Sequence, residues 1–573
     1  MKKIKLLLLS ISILLALFLR FYKLDKVPNA LHLDEIANAY TGRFILENKV
    51  DLYGNKFPLF YFDKFGDYPP VIPMYIQAVG TYIFGLNELG SRGVTAILGS
   101  LLIIPVFFIV LMIFKNLKTA FFAGLMVAVI PWQIVFSRQS AEGAIASFFY
   151  FFGLWLLFKF INEKKLKNLT ISLPFFLITF FIYPSFRIIT PLTFFPLFIF
   201  FINKKNYKNQ SERKKLLLSA LIVFLFFLLI SFLIINSYWG KGRAGQVSIF
   251  NFVSGVENNN LQLIYREKNP LIARIFNNKI IGYGRKFLEE YFKYFSASHL
   301  FITGGGEITH KVPNSGELYL SLLPLIILGL FDFARKKNRT INQPLFYYSV
   351  YLLLICAIPG GLTVLAVPNF HRTFPMSIFY IILASYGFNA LTQIKIKKMD
   401  LSFLIYPFIF FELIYFMHNF INHVDYIQFI GNNEGAREAF NLITEKKNNY
   451  SKIFSPGTHY LTLYYLYYQK KFSKDLVGKF KQSYYISQID NIYFFDQDCF
   501  FDRAFKRINN NDKVLFLLKE QCVDDYFKNS KINLNLIAKF KTGYGNYSFW
   551  LYEFDGLKNK EFLSDFFKEH KND

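Results

Sequence analysis

Two adjacent acids, Asp34 and Glu35, stand shortly after the first apolar run, in Leu33-Asp34-Glu35-Ile36-Ala37-Asn38-Ala39-Tyr40-Thr41. Ile36, Tyr40 and Phe44 recur at helical spacing, and Asp34, Asn38 and Thr41 fall on one polar face of the same helix. An acid at a helix start is favoured by the helix dipole. Asp34 therefore reads equally as a cap or as a carboxylate placed to take a proton from an acceptor hydroxyl. Arg20, Arg92, Arg138, Arg187 and Arg372 each sit at the predicted outer end of an apolar run. Any one of them could simply snorkel to headgroups. Together they oppose the usual inward bias of basic residues, and arginine forks match phosphate oxygens, so a lipid phosphate is the natural partner. His371-Arg372 follows Pro359-Gly360-Gly361 and Pro368-Asn369, a plausible phosphate clamp in a short loop. His299, His310 and Lys311 flank Thr303-Gly304-Gly305-Gly306-Glu307, where glycines either let backbone approach a ligand or make a plain turn.

The elements that would carry these residues are apolar. The chain has 573 residues, 53% of them hydrophobic and 20% aromatic, with 72 Phe. Charged residues make up 18%, against about 25% in ordinary soluble proteins. Mean hydropathy is +0.28. This excludes a disordered chain, a disulfide scaffold and a typical cytosolic enzyme, and predicts a polytopic α-helical membrane protein. Runs near bilayer-spanning length fall at 4–20, 91–114, 118–136, 143–161, 168–183, 187–203, 215–236, 317–334, 343–358, 373–392 and 400–419. The run 69–86 opens with Pro69-Pro70 and carries Pro73, Gly80 and Gly85.

The net charge of +26 is explained mainly by topology. If 69–86 lies in the interface, the short basic loops at Lys115 and Lys118, at Lys164, Lys165 and Lys167, and at 204–215, 335–339 and 395–398 all face the cytoplasm with Met1-Lys2-Lys3. If it spans, that bias inverts. The expectation is about eleven transmembrane helices, an uncleaved first span, and interfacial helices in the first outer loop. The lysine clusters of the short inner loops argue against a nucleic-acid role and make membrane lipids the expected partners.

The predicted organisation is a membrane domain over 1–420 and a soluble extracytoplasmic α/β or α+β domain over 421–573. The membrane domain has long outer loops at 21–90 and 237–316. In the tail, a helix near 434–447 precedes the strand Lys452-Ile453-Phe454 and an aromatic helix near 459–469. Strands near 491–495 and 513–518 follow, then a hairpin around Gly543-Tyr544-Gly545-Asn546. Cys356 sits in a span; Cys499 and Cys522 could be a disulfide or two thiols, and no metal-ligand spacing is present.

The ordered set of features resembles the C-type membrane glycosyltransferases, in particular the protein O-mannosyltransferase and aminoarabinose transferase group. The set comprises Asp34-Glu35 in a long first outer loop, the Pro69-Pro70 interfacial helix ending Phe84-Gly85-Leu86-Asn87-Glu88, and Ser91-Arg92 opening the next span. Ser137-Arg138 with Glu142, Gly304-Gly305-Gly306 with His310, Gly316-Glu317-Leu318 and a soluble tail complete it. The resemblance implies that Asp34 is the catalytic aspartate with Glu35 its acidic neighbour. It makes Arg92 the arginine of the second span and Glu142 a second acid. The family's lysine before the interfacial prolines is replaced by Tyr68, with Asp67 and Lys64 nearby. The Trp-Trp-Asp-Tyr-Gly signature of oligosaccharyltransferases is absent, since the Trp residues are isolated.

The implied reaction is inverting sugar transfer from a polyprenyl-phosphate donor to an acceptor hydroxyl on protein, lipid or glycan, at the outer face of the cytoplasmic membrane. The donor phosphate would meet Arg92, Arg138, His371 or Arg372, with no cofactor and no metal. Two other readings compete: a transporter or flippase of lipid-linked saccharide, and a non-catalytic polysaccharide-assembly protein. A transporter predicts ionisable residues in mid-span, where Glu412 is the clearest instance.

Overall fold

The structure is a computed structural model. It describes residues 2–569 apart from 65–66, 203–209, 252–253, 336–340, 397–398, 429–432, 481–484, 528–531 and 543–544. The basic loops at 204–215, 335–339 and 395–398 and the hairpin tip at Gly543-Tyr544 therefore lie wholly or partly outside the described residues.

The molecule is mostly helical. Among the described residues six helices are long and apolar enough to cross a membrane: Lys3–Phe21, Glu88–Phe114, Glu142–Glu163, Gln210–Asn236, Gln343–Gly361 and Leu401–His423. A seventh candidate, Leu117–Val129 with Pro131–Arg138, is bent by 48° at Pro131, where a missing N–H breaks the helical ladder. The expected eleven spans are not all reached by length. The remaining runs form the shorter apolar helices Leu166–Thr179, Phe186–Ile199, Leu322–Ala334 and Met376–Leu391. Pro174 and Pro191 lie inside two of them, and Met376–Leu391 is buried almost throughout by its neighbours.

The run 69–86 forms a helix only over Ile72–Phe84, 13 residues. At about 1.5 Å per residue this reaches about 20 Å, short of the roughly 30 Å hydrocarbon layer. It packs between Leu33–Asn48 and Glu88–Leu101. Gly80 and Gly90 allow the close crossing, since a Cβ on Gly80 would lie 2.3 Å from the Gly90 carbonyl oxygen.

The tail builds one six-stranded sheet. Its spatial order is Gln488–Ile489, Ile492–Phe495, Lys452–Pro456, Lys513–Lys519, Tyr547–Asp555, Leu534–Lys541. The central three strands are parallel, in register Ile453↔Ile492 and Ile453↔Leu515. The two edges are antiparallel. Alternate residues face opposite sides: Ile453, Ile492 and Leu515 enter one core, and Phe454, Phe495 and Phe516 the other. The disulfide Cys499–Cys522 joins the segments after two of the parallel strands.

The first of these cores is shared with the first long loop. Leu31, Ile36, Tyr40 and Phe44 pack with Phe440, Tyr464 and Tyr465 in a single buried cluster. The tail thus sits directly on the helix that carries Asp34.

Candidate functional site

The helix Leu33–Asn48 is capped by His32 and Glu35 and not by Asp34. His32 Nδ1 accepts the Asp34 N–H at 3.3 Å, and Glu35 Oε2 accepts the His32 N–H at 2.9 Å. This is a capping box with histidine in the place usually held by Ser or Thr. Asp34 is left at the helix mouth with a half-exposed side chain. Lys64 Nζ donates to its Oδ1 at 2.5 Å, and His32 Nδ1 lies 3.6 Å from its Oδ2.

Lys64 reaches Asp34 through a tight turn. Its N–H and that of Asp67 bond the opposite carbonyls at 2.8 and 3.1 Å. Asp67 itself accepts the Tyr68 N–H. Asp67 also acts on Lys64 through its charge. Burial pulls the Lys64 ammonium down, but Asp34, Asp67 and Glu142 outweigh it, so the net shift is upward and the group stays charged.

The opposite wall is the start of helix Glu142–Glu163. Asn38 Nδ2 donates to Glu142 Oε1 at 3.2 Å, bridging the two helices. The Gly143 N–H donates to His371 Nε2 at 2.8 Å. That contact assigns the ring proton of a neutral His371 to Nδ1. Gly143 is required here: a Cβ would sit 2.7 Å from His371 Cδ2 and 2.8 Å from its carbonyl oxygen. Glu142 Oε2 lies 3.5 Å from the same ring nitrogen. The His371 ring stacks on Tyr183 at 4.4 Å, and His310 stacks on Phe136 at 4.5 Å. Burial pulls His310 well below its ordinary value, with His371 and His32 adding to the shift and Asp34 opposing it. His310 is therefore neutral at neutral pH.

These residues share one cleft. It is lined by His32, Asp34, Glu35, Gln139, Ser140, Ala141, Glu142, Thr309, His310 and His371. Chemically it offers a carboxylate oriented by an ammonium, a second carboxyl 104 residues away in sequence from Asn38, and imidazoles, of which that of His310 is neutral. Among the described residues no group of three or more His, Cys, Asp or Glu is disposed to hold a metal ion.

Residues 67–232 match the family described as dolichyl-phosphate-mannose-protein mannosyltransferase. The match covers under a third of the chain. Its fold is similar to that of ArnT from Cupriavidus metallidurans. In the apo state the TM-score is 0.50 at 12% identity, covering 95% of this chain and 97% of that one. In the structure of ArnT bound to undecaprenyl phosphate it is 0.51, with the same identity and coverage. The Archaeoglobus fulgidus oligosaccharyltransferase aligns at 13% identity and TM-score 0.45, covering 89% of this chain and 67% of that chain. No curated protein sequence matches the chain.

The mannosyltransferase-family match contains Arg92, Arg138 and Glu142, while Asp34, Lys64, His310 and His371 come from outside it. Three of the arginines and histidines expected at the donor phosphate, Arg92, Arg138 and Arg372, do not line the cleft. Arg92 does not face the cleft. It is fully buried, gripping Glu35 at 2.8 and 3.0 Å and the carbonyls of Leu24, Pro28 and Ala30. Every N–H of its guanidinium is used. Glu35 lines the cleft while engaged by Arg92 and by the helix cap. Arg138 is fully buried too, donating to the carbonyls of Leu19, Arg20, Tyr22, Lys23 and Val27 at 2.8–3.2 Å. It satisfies the orphan carbonyls at the end of the first helix. Arg20 is likewise buried among Ser137, Val127 and Ala128. In this structure Arg20, Arg92 and Arg138 all donate to protein groups.

Arg372 also turns away from the cleft, bonding Thr363 Oγ1 and the Leu365 carbonyl at 2.7 and 2.8 Å. The expected His371-Arg372 clamp is therefore split, with His371 alone in the cleft. The glycine run works as a turn: Gly305 N–H bonds Glu317 and Gly306 N–H bonds the Pro368 carbonyl. It braces the loop that delivers His371. Sequence reasoning missed His32, since capping rules look for small polar residues. It missed Tyr183 as well, which is one aromatic among many.

Proposed function

We propose that the chain is a glycosyltransferase that takes its sugar from a polyprenyl-phosphate donor and passes it, with inversion, to an acceptor hydroxyl at the outer face of the membrane. The observation that carries this is the Asp34–Lys64 pair, opposed across one cleft by Glu142. The mannosyltransferase-family match and the ArnT-like fold support the donor class, since ArnT is known bound to undecaprenyl phosphate. The disulfide Cys499–Cys522 suits an oxidising, extracytoplasmic side for the tail.

In this mechanism the acceptor oxygen attacks the anomeric carbon from the face opposite the phosphate. The new carbon–oxygen bond forms as the bond to the phosphate oxygen breaks. Asp34 takes the acceptor proton, and polyprenyl phosphate leaves as an anion. Lys64 is the cation that the cleft offers that anion, which replaces the expected role of Arg92 and Arg138. Releasing Lys64 to the phosphate would free the Asp34 oxygen for the proton. Glu142, Asn38 and His371 form the wall against which the sugar is held.

A transport role finds little support. Glu412, the mid-span acid, accepts the Ser321 N–H and serves the start of a neighbouring helix.

The test is Asp34→Asn. The variant should fold and purify as wild type does, yet release polyprenyl phosphate from a polyprenyl-phosphate mannose at least about 10²-fold more slowly. Wild-type release by that variant, read by mass spectrometry, removes Asp34 from the base role.

A further inference from the structure

The tail's aromatic helix Leu461–Tyr468 is more than packing for the loop beneath it. We infer that Tyr464 is a positioning residue for Asp34, and that the sheet domain holds the catalytic helix in its working orientation. The inference rests on the proposed base role of Asp34.

The geometry is a clamp with contacts at both ends of helix Leu33–Asn48. At its start, the Tyr464 hydroxyl donates to the Leu31 carbonyl at 2.9 Å. Leu31 lies three residues before Asp34, next to the capping residue His32. Arg92 Nη2 holds the adjacent Ala30 carbonyl at 2.8 Å. The two carbonyls that set the direction of the chain into the helix are thus held by one arginine and one tyrosine. Further along, the Tyr40 hydroxyl donates to the Lys471 carbonyl at 2.5 Å and Asn48 Nδ2 to the Phe472 carbonyl at 2.9 Å. Both acceptors belong to the segment immediately after the aromatic helix. Tyr467 Oη and Ser91 Oγ are 2.7 Å apart, beside Arg92. Tyr464 and Tyr467 are fully buried, and losing the Tyr464 hydroxyl leaves the Leu31 carbonyl without that donor.

A carboxylate that must meet one proton at hydrogen-bond distance is sensitive to small rotations of the helix that bears it. Tyr464 itself does not line the cleft. Its effect must pass through the Leu31–His32 backbone. A tyrosine that served only stability would leave the chemistry of the folded fraction unchanged.

The experiment compares purified full-length wild type, Tyr464→Phe, Asp34→Asn and the double variant, using polyprenyl-phosphate mannose as the probe. Tyr464→Phe should lower kcat at least about tenfold while leaving the donor KM within about twofold. In the Asp34→Asn background it should add no further loss, because it acts through the residue already removed. Hydrogen exchange gives a readout that needs no substrate. Amides of residues 31–38 should exchange faster in Tyr464→Phe while the long apolar helices are unchanged. If Tyr464→Phe does not purify, Tyr40→Phe removes the hydroxyl at the other end of the clamp and should show the same pattern. Unchanged kcat together with unchanged exchange at 31–38 overturns the inference, as does a loss equal in both backgrounds. Wild-type activity in Asp34→Asn instead overturns the base assignment, and the exchange result then decides the clamp separately.

Discussion

Arg92 and Glu35 form a two-pronged ion pair, Nε to Oε1 at 2.8 Å and Nη2 to Oε2 at 3.0 Å, with Arg92 fully buried and Glu35 3% exposed. The pair ties the second long helix to the start of the helix bearing Asp34. Breaking such a pair from one side leaves a buried charge without its counter-charge, at a cost of about 3–5 kcal/mol. Arg92→Leu and Glu35→Leu should each sharply reduce the yield of monodisperse protein. Arg92→Lys should do so as well, since an ammonium cannot reach two carboxylate oxygens and three carbonyls at once. Size-exclusion profiles and thermal unfolding check this. A stable Arg92→Leu protein with only a raised donor KM would return Arg92 to the phosphate role.

Lys64 should show the opposite behaviour. Its partner Asp34 is half exposed, so removing the ammonium leaves no buried orphan. Lys64→Gln should fold normally and raise the donor KM by about 10–100-fold, equivalent to about 1.4–2.7 kcal/mol of lost phosphate contact. Steady-state kinetics over donor concentration measure it; an unchanged KM would mean the phosphate binds elsewhere.

Gly143→Ala introduces one methyl group where His371 already sits at 2.7 Å. Overpacking of this kind costs about 1–3 kcal/mol. The relief available is to push His371 off the Gly143 N–H and out of the cleft wall. Activity should fall more than stability does, and a matched Gly153→Ala, well away from the cleft at Phe176, should affect stability alone. Equal activity losses in the two variants would deny His371 a place in the site.

Stability should depend on pH through His310. Its folded value is pulled below the ordinary one of about 6.5, chiefly by burial. Above about pH 6.5 both states are neutral and the folded form keeps its full stability. As pH falls below that, the unfolded chain takes the proton first, so stability is lost. The unfolding temperature in detergent should drop between about pH 7 and pH 5, and His310→Gln should flatten that drop. Asp425, whose carboxyl is pushed up by burial, acts in the opposite sense, so the difference between wild type and variant is the measurement. Parallel curves would show that His310 protonates freely in the folded protein.

Much of this protein is determined locally, and the sequence by itself reveals those parts. Long apolar runs need only their own length to be membrane helices, and the charge bias of the short loops already argues against 69–86 as a plain crossing. The polar face of Asp34 and Asn38, the strand Lys452-Ile453-Phe454 and the hairpin around Gly545 follow from periodicity and turn chemistry within a few residues. The fate of a charged side chain does not. As sequence, Arg92 and Arg138 look like surface forks waiting for a phosphate. Only the chain path shows that the segment from Leu19 to Ala30 turns carbonyls toward them and engages most of their donors. Lys64 meets Asp34 across 30 residues and Gly143 meets His371 across 228. No local pattern specifies such pairings. They exist because buried donors and acceptors must find partners wherever the tertiary fold brings them, and that requirement decided which charges brace the structure and which remained in the cleft.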